Sequence, residues 1–305
     1  MSHYRLLVVG VCLLLACFLA APASAFDQPS VNLGFTSFMD GGPPAGPGWY
    51  FTEYIQFYTA DKLPDYAFPK TDLDVWVSLN QVIYQSDQEL FLGGKWGVDV
   101  IVPLVYLDAD PMLPDNAGGI GDVLVGPFLQ WDPVMGPDGP RFMHRVELQC
   151  IFPTGKYDDD RAANPGSIFF SFNPYWAGTY FFTPRLTGTV RAHYLWNTEN
   201  DDPWTALPAT KTEAGDAFHA NFAVSYEVIP KQLRAGINGY YLRQTNDSEW
   251  NGSNVSGREQ VLGIGPGAMW SFSQETHLFF NAYFESHVHS RPEGDRFTLR
   301  LVHHF

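Results

Sequence analysis

Only three cysteines occur in the 305 residues, at positions 12, 17 and 150. The first two fall in a leader-like stretch, so Cys150 is the only thiol of the remainder, and neither an internal disulfide nor a CxxC zinc site can form there. Cations are scarce as well. The sequence has 18 Lys and Arg against 33 Asp and Glu, a formal charge of -15 that argues against nucleic acid as a partner. No run of about 18 apolar residues follows Ala25, which excludes a helical membrane span beyond that point. Helical periodicity is not competitive in any apolar segment. What is abundant is aromatic and turn-forming: Phe, Trp and Tyr make up 16%, beside 28 Gly and 23 Pro, a composition of strands and turns.

The first 25 residues read as a signal peptide. Arg5 lies in a short n-region, an apolar core runs from Leu6 to about Ala20, and Ala23-Ser24-Ala25 fits the small-x-small cleavage rule, which makes Phe26 the expected mature start. A lipobox reading of Leu14-Leu15-Ala16-Cys17 competes, with a short apolar stretch and an unusual Leu15 against it. Both readings export the chain.

From residue 49 onward, about twelve segments of roughly ten residues alternate with period two. They run near 49-58, 72-84, 95-107, 120-131, 142-153, 168-181, 185-197, 217-229, 233-244, 258-272, 276-287 and 296-305. Odd connections are long and polar. Most even ones are short, such as "TPR", "PKQ" and "SQE", although those near 85-94 and 132-141 are longer. The pattern predicts an all-β, closed antiparallel transmembrane β-barrel of about 12 strands over residues 49-305, with short periplasmic turns and long outside loops. Phe305 then ends a last strand that closes against the first, leaving no free edge. A secreted soluble all-β protein would share the alternation, but not the loop asymmetry or aromatic belts.

Sidedness follows from energy. An Arg on the lipid face near the midplane costs about 2 to 4 kcal/mol, so Arg145, Glu147, Arg191, Glu227, Arg234, Glu285 and Arg300 are expected inside. Arg145 with Glu147, and Arg191 with Glu227, are candidate ion pairs. Trp96, Trp131, Phe142, Tyr180, Trp270 and Phe305 should form one aromatic belt, and Tyr106, Trp196, Phe218 and Tyr241 the other. Glu53 is a misfit, falling on the outward side of the first strand.

The stretches "GGIGDVLVGPFLQ" (118-130), "FPTGKYD" (152-158), "AGINGYYLRQTND" (235-247) and "GREQVLGIGPGAMW" (257-270), with the closing aromatic strand, resemble the outer-membrane family named for the meta-pathway of phenol degradation. The resemblance spans about Gly46 to Phe305. It implies an outer-membrane barrel of a transporter family associated with breakdown of aromatic or other hydrophobic compounds, and it supplies no catalytic residues. His303 departs from the apolar or aromatic residue more usual near such an ending.

A twelve-stranded lumen should be wider than a packed eight-stranded interior and narrower than a sixteen-stranded pore. Tyr54, Trp76, Phe128, Tyr175, Tyr240 and Tyr283 are expected to line it with His193 and the charged set, and Tyr58, Tyr84 and Phe279 beside them. Interleaved rings suit a small hydrophobic or aromatic solute held by a few polar contacts; rings that merely fill the space are the competing reading. Residues 26-48, ending in "GGPPAGPG", are too rich in Pro and Gly to pair in a sheet. They form either a periplasmic segment or a lumen plug, the latter suggested by Val31, Leu33, Phe35 and Phe38.

No catalytic, metal or cofactor signature stands out. Ser286, His287 and His289 are weak candidates for a lipid-modifying enzyme, since neighbours in a strand face opposite sides. "YDDDRAANPG" lacks the ligand spacing of an EF-hand. The expected partners are outer-membrane lipid and lipopolysaccharide, the barrel-insertion machinery through the strand ending in Phe305, and the solute. A channel is the leading reading; a membrane-embedded lipid enzyme and a structural barrel with an occluded lumen are the alternatives.

Overall fold

The computed structural model describes residues 28-43, 45-62, 72-110 and 117-305, and every regular element among them is a strand. The expected leader, 1-25, lies outside the described residues. β1 spans Gly48–Lys62, β2 Asp72–Phe91 and β3 Gly94–Asp110. The next three are each interrupted: β4 is Ala117–Ile120 with Val123–Gln130, β5 Gly139–Glu147 with Cys150–Phe152, and β6 Ser171–Phe172 with Tyr175–Phe181. β7 to β9 span Leu186–Asn197, Ala217–Ile229 and Leu233–Gln244. Gln260–Ser271, Thr276–His289 and Glu293–His304 are β10, β11 and β12.

Each strand pairs antiparallel with its chain neighbours, and β12 pairs with β1 from Tyr50↔His304 to Lys62↔Glu293. The wall is therefore a closed antiparallel twelve-stranded barrel. Phe305 completes the seam, its backbone N–H donating to the Trp49 carbonyl at 3.0 Å. Prolines explain part of the interruption in β4 to β6. Pro127 and Pro174 cannot donate to the ladder, and their carbonyls accept instead from Leu148 N at 3.0 Å and Tyr194 N at 3.2 Å.

Tight turns join the strands at the end that carries Phe305. In two of them a hydroxyl closes the turn: Thr183 Oγ1 accepts from Leu186 N at 3.0 Å, and Ser273 Oγ from Thr276 N at 3.1 Å. The two longer connections at this end fold into extended hairpins, one turning at Leu92 and Gly93, the other pairing Val134–Gly136 with the start of β5. At the loop end Thr212–Glu213, Ser248–Trp250 and Ser253–Val255 make a separate three-stranded sheet.

The outside of the wall is apolar between two aromatic rims. Trp49, Tyr84 and Trp96 touch in series at the turn end, with ring centroids 4.9 and 5.5 Å apart. Tyr106, Trp196 and Phe218 are exposed toward the loop end. Their amphipathic rings suit the two membrane interfaces.

One strand departs from the phase that its alternation predicts. Trp76, expected in the lumen, is 48% exposed on the lipid face, where it packs on Phe57, and Tyr84 faces outward with it in the turn-end rim. The inward set of β2 is Val75, Val77, Leu79, Gln81 and Ile83. Ser78 and Asn80 point to lipid. β2 carries aliphatics inside and polar residues outside near its middle, the reverse of its neighbours, so a polarity rule assigns its register one residue out of phase.

Candidate functional site

Residues 28-43 and 45-47, ahead of β1, contact side chains on the inner face of the wall. At the loop end Gln28 Nε2 donates to the Gly215 carbonyl at 2.7 Å. Deeper, Asn221 of β8 brackets the segment, accepting from Gly34 N and donating to the Asn32 carbonyl, both at 2.8 Å. Gly41 N then donates to Thr179 Oγ1 at 2.9 Å, and His304 Nε2 lies 3.0 Å from the Pro47 carbonyl at the turn end. Leu33 joins Tyr240, Leu242, Val261 and Tyr283 in one buried cluster, while Phe38 packs with Ala223 and Phe279. Gly34 is required where it sits: its φ is +78°, and a Cβ there would lie 2.6 Å from the Tyr283 ring.

Two charged networks line the wall around this segment and reach it through Arg191 and Arg300 at Asp40 and through Gln56 Nε2, which donates to the Leu33 carbonyl at 3.2 Å. In the first, Arg145 Nη2 donates to Glu147 Oε2 at 2.8 Å, and the Tyr175 hydroxyl donates to the same oxygen. Arg145 lies 3.8 Å above the Phe128 ring centroid and Arg191 4.0 Å above that of Tyr175. Tyr54 OH donates to Gln81 at 3.0 Å, and Gln81 donates to Asp99. Gly126 makes room for the carboxylates of Glu147 and Asp99, which would both collide with a Cβ.

The second network is centred on Glu285, which accepts from Tyr240 OH at 2.6 Å and Tyr58 OH at 3.0 Å. Arg296 donates to Tyr240 OH at 3.0 Å and Gln56 at 2.9 Å, over the face of Tyr58. Arg300 stacks 3.7 Å from the Phe279 centroid. Between the networks His193 and His219 stack at 4.2 Å, and His193 is 4.8 Å from Tyr175. The side-chain amides of Asn238 and Asn281 and the Tyr283 hydroxyl lack partners among the described residues, so they are free hydrogen-bonding groups of the interior.

Of the expected lining residues, Tyr54, Phe128, Arg145, Glu147, Tyr175, Arg191, His193, Arg234, Tyr240, Tyr283, Glu285 and Arg300 are buried in or partly buried toward the lumen. Glu227 lies apart, at the turn end, where it accepts from Lys231 N at 2.7 Å. The expected Arg191–Glu227 pair is therefore absent: Arg191 is held by Asp40, with Nη2 2.9 Å from Oδ1, because the segment brings a carboxylate closer. The sequence pattern does not single out Asp40, Asp99, Gln56 or Arg296. Arg296 shares its strand face with Arg300, which is a readable signal; Asp40 lies in a segment without period, so only the folded path reveals it.

The described interior thus carries aromatic faces at Tyr58, Phe128, Tyr175 and Phe279, each beneath an arginine guanidinium. The family model described as "Putative MetA-pathway of phenol degradation" matches residues 56-301. The chain belongs to that family. The match begins inside β1 and ends inside β12, so it covers the wall from one side of the seam to the other. Among solved structures, an outer membrane channel from Pseudomonas putida F1 aligns with a TM-score of 0.76 at 17% identity, over 90% of this chain and 100% of that one. The translocator domain of the autotransporter NalP from Neisseria meningitidis aligns at 0.49 with 10% identity, over 88% and 90%. A monoaromatic hydrocarbon channel, CymD, aligns at 0.38 with 10% identity, over 86% and 91%. No curated protein matches the sequence. The first alignment establishes a shared barrel fold.

Proposed function

We propose that this chain is an outer-membrane channel for passive uptake of small hydrophobic or aromatic molecules, held shut in the described state by residues 28-47. The observation that carries the reading is the lining itself: Tyr54, Tyr58, Phe128, Tyr175, Tyr240 and Phe279 project into the barrel, with Arg145, Arg191, Arg296 and Arg300 across their faces. Aromatic faces bind a flat apolar solute by stacking, and the arginines and unpartnered amides can fix a hydroxyl or carboxylate on it. A pore for hydrated ions would be lined instead by small polar and charged groups.

Support also comes from the relative described as an outer membrane channel and from the phenol-degradation name of the family. The closing β12, with Phe305 just beyond it, is the segment offered to the insertion machinery. The acidic loops face the lipopolysaccharide side.

Liposome swelling measures the function directly. Proteoliposomes of the mature protein, and of a variant lacking residues 28-46, are challenged with aromatic acids and with sugars of similar size. Aromatic acids should enter faster than sugars, and the deletion should raise the rate. If neither protein passes aromatic acids, the channel reading fails. A lipid hydrolase activity lost in Ser286→Ala would favour the enzyme instead; Ser286 Oγ does lie 3.2 Å from His287 Nδ1.

A further inference from the structure

Glu53 stands on the lipid-facing side of β1, between Phe51 and Ile55 in the alternation, about midway between Trp49 at one rim and Phe57, which packs on Trp76, toward the other. It is not alone there. Ser78 Oγ of β2 donates to Glu53 Oε1 at 2.9 Å, and Asn80 Nδ2 donates to Ser78 Oγ at 3.1 Å. The three side chains form one polar patch on an otherwise apolar wall, flanked by the exposed Ile55, Trp76, Val82, Val102, Leu104 and Leu301. Glu53 Oε2 accepts no hydrogen bond among the described residues, and Asn80 Nδ2 keeps one N–H beyond the one it gives to Ser78. Acyl chains offer neither a partner, so the patch is costly unless something inside the bilayer pairs with it.

The depth restricts the candidates. Lipid head groups lie at the rims, beside the tryptophans, and do not reach the middle of the wall. The occupant must itself be a membrane-embedded surface carrying a donor opposite Glu53 and an acceptor opposite Asn80. This patch is its own complement. Glu53 and Asn80 are directly opposite in the β1–β2 ladder, hence at nearly one depth. A two-fold axis that runs parallel to the bilayer normal, just outside the wall at that pair, brings Glu53 to Asn80 of the partner subunit and repeats the contact in reverse.

We propose that two copies of this chain associate in the membrane through their β1–β2 walls, with Glu53 and Asn80 exchanging hydrogen bonds across a two-fold axis. Ser78 holds the carboxyl in place on each side, and the flanking aliphatic residues supply the packing. Each barrel keeps its own lumen, because the patch faces away from it.

Cross-linking tests the arrangement. In a Cys150→Ser background, Val82→Cys places a thiol beside the patch on β2, and Ile264→Cys places one on the exposed face of β10 as a control. Bacterial outer membranes carrying each variant are treated with a short bis-maleimide. A covalent dimer is expected with Val82→Cys and none with Ile264→Cys, and adding Glu53→Leu should lower the Val82→Cys yield several-fold. Heat-modifiable gel mobility shows separately that each barrel is folded. The proposal is overturned if folded Val82→Cys barrels give no dimer, if Ile264→Cys cross-links equally, or if Glu53→Leu leaves the yield unchanged.

Discussion

Arg191 Nη2 donates to Asp40 Oδ1 at 2.9 Å, so an arginine of the wall and an aspartate of the preceding segment hold one another inside the barrel. Arg300 approaches the same carboxylate at 3.8 Å. Two strands on different sides of the lumen, β7 and β12, thus share one anchor.

Asp40→Asn leaves both arginines without their carboxylate. Breaking a buried pair from one side costs about 3 to 5 kcal/mol, and the loss falls on the docking of residues 28-47 rather than on the strand ladder. Single-channel recording should show more frequent and larger openings, with gel mobility of the barrel unchanged.

Gly34→Ala should loosen the same segment at its other end. The substituted residue would hold a left-handed φ at a cost of about 1 to 2 kcal/mol, and its Cβ would press on the Tyr283 ring. Hydrogen exchange of the amides of residues 33-41 should accelerate, and Tyr283→Leu in the same chain should restore part of the protection.

Within the first network, removal of one partner and of both should differ. Glu147→Ala strands Arg145 and should lower unfolding stability by about 3 to 5 kcal/mol, whereas Arg145→Met with Glu147→Leu should be neutral or stabilising by up to about 4 kcal/mol. Urea titration followed by gel mobility compares them.

The loop-end sheet should respond to pH. Burial, then the charge of Glu249 opposite it, raises the Glu213 carboxyl above its usual range. The folded loop therefore binds more protons than the unfolded one in the window from the ordinary value to the raised one. Loop stability falls as pH rises through that window and stays lower above it. Protection of the amides of residues 212 and 250, relative to their intrinsic exchange rate at each pH, should rise on acidification, and Glu213→Gln should remove that rise.

Strand positions are legible in the sequence because period two is imposed by the pleat itself. β8 and β9 run from Ala217 to Ile229 and Leu233 to Gln244, where the alternation places them. β2 is readable in extent but not in phase, since Ser78 and Asn80 put polarity on the lipid side. Glu53, a misfit by the same rule, is outward, and the two exceptions prove to be one patch. The charged networks are half legible. Arg145 and Glu147 are two residues apart on one strand and must share a face; Asp40 and Arg191 are 151 residues apart and meet only after closure.

What the amino-acid order determined alone is the local rule: which segments extend, where they turn, and which face of most strands tolerates lipid, because each depends on neighbours one to four residues away. Only the closed barrel decided what occupies its interior and which charges meet there. Those contacts join residues far apart in the chain, and their energy comes from excluding water from a space that does not exist until β12 has paired with β1.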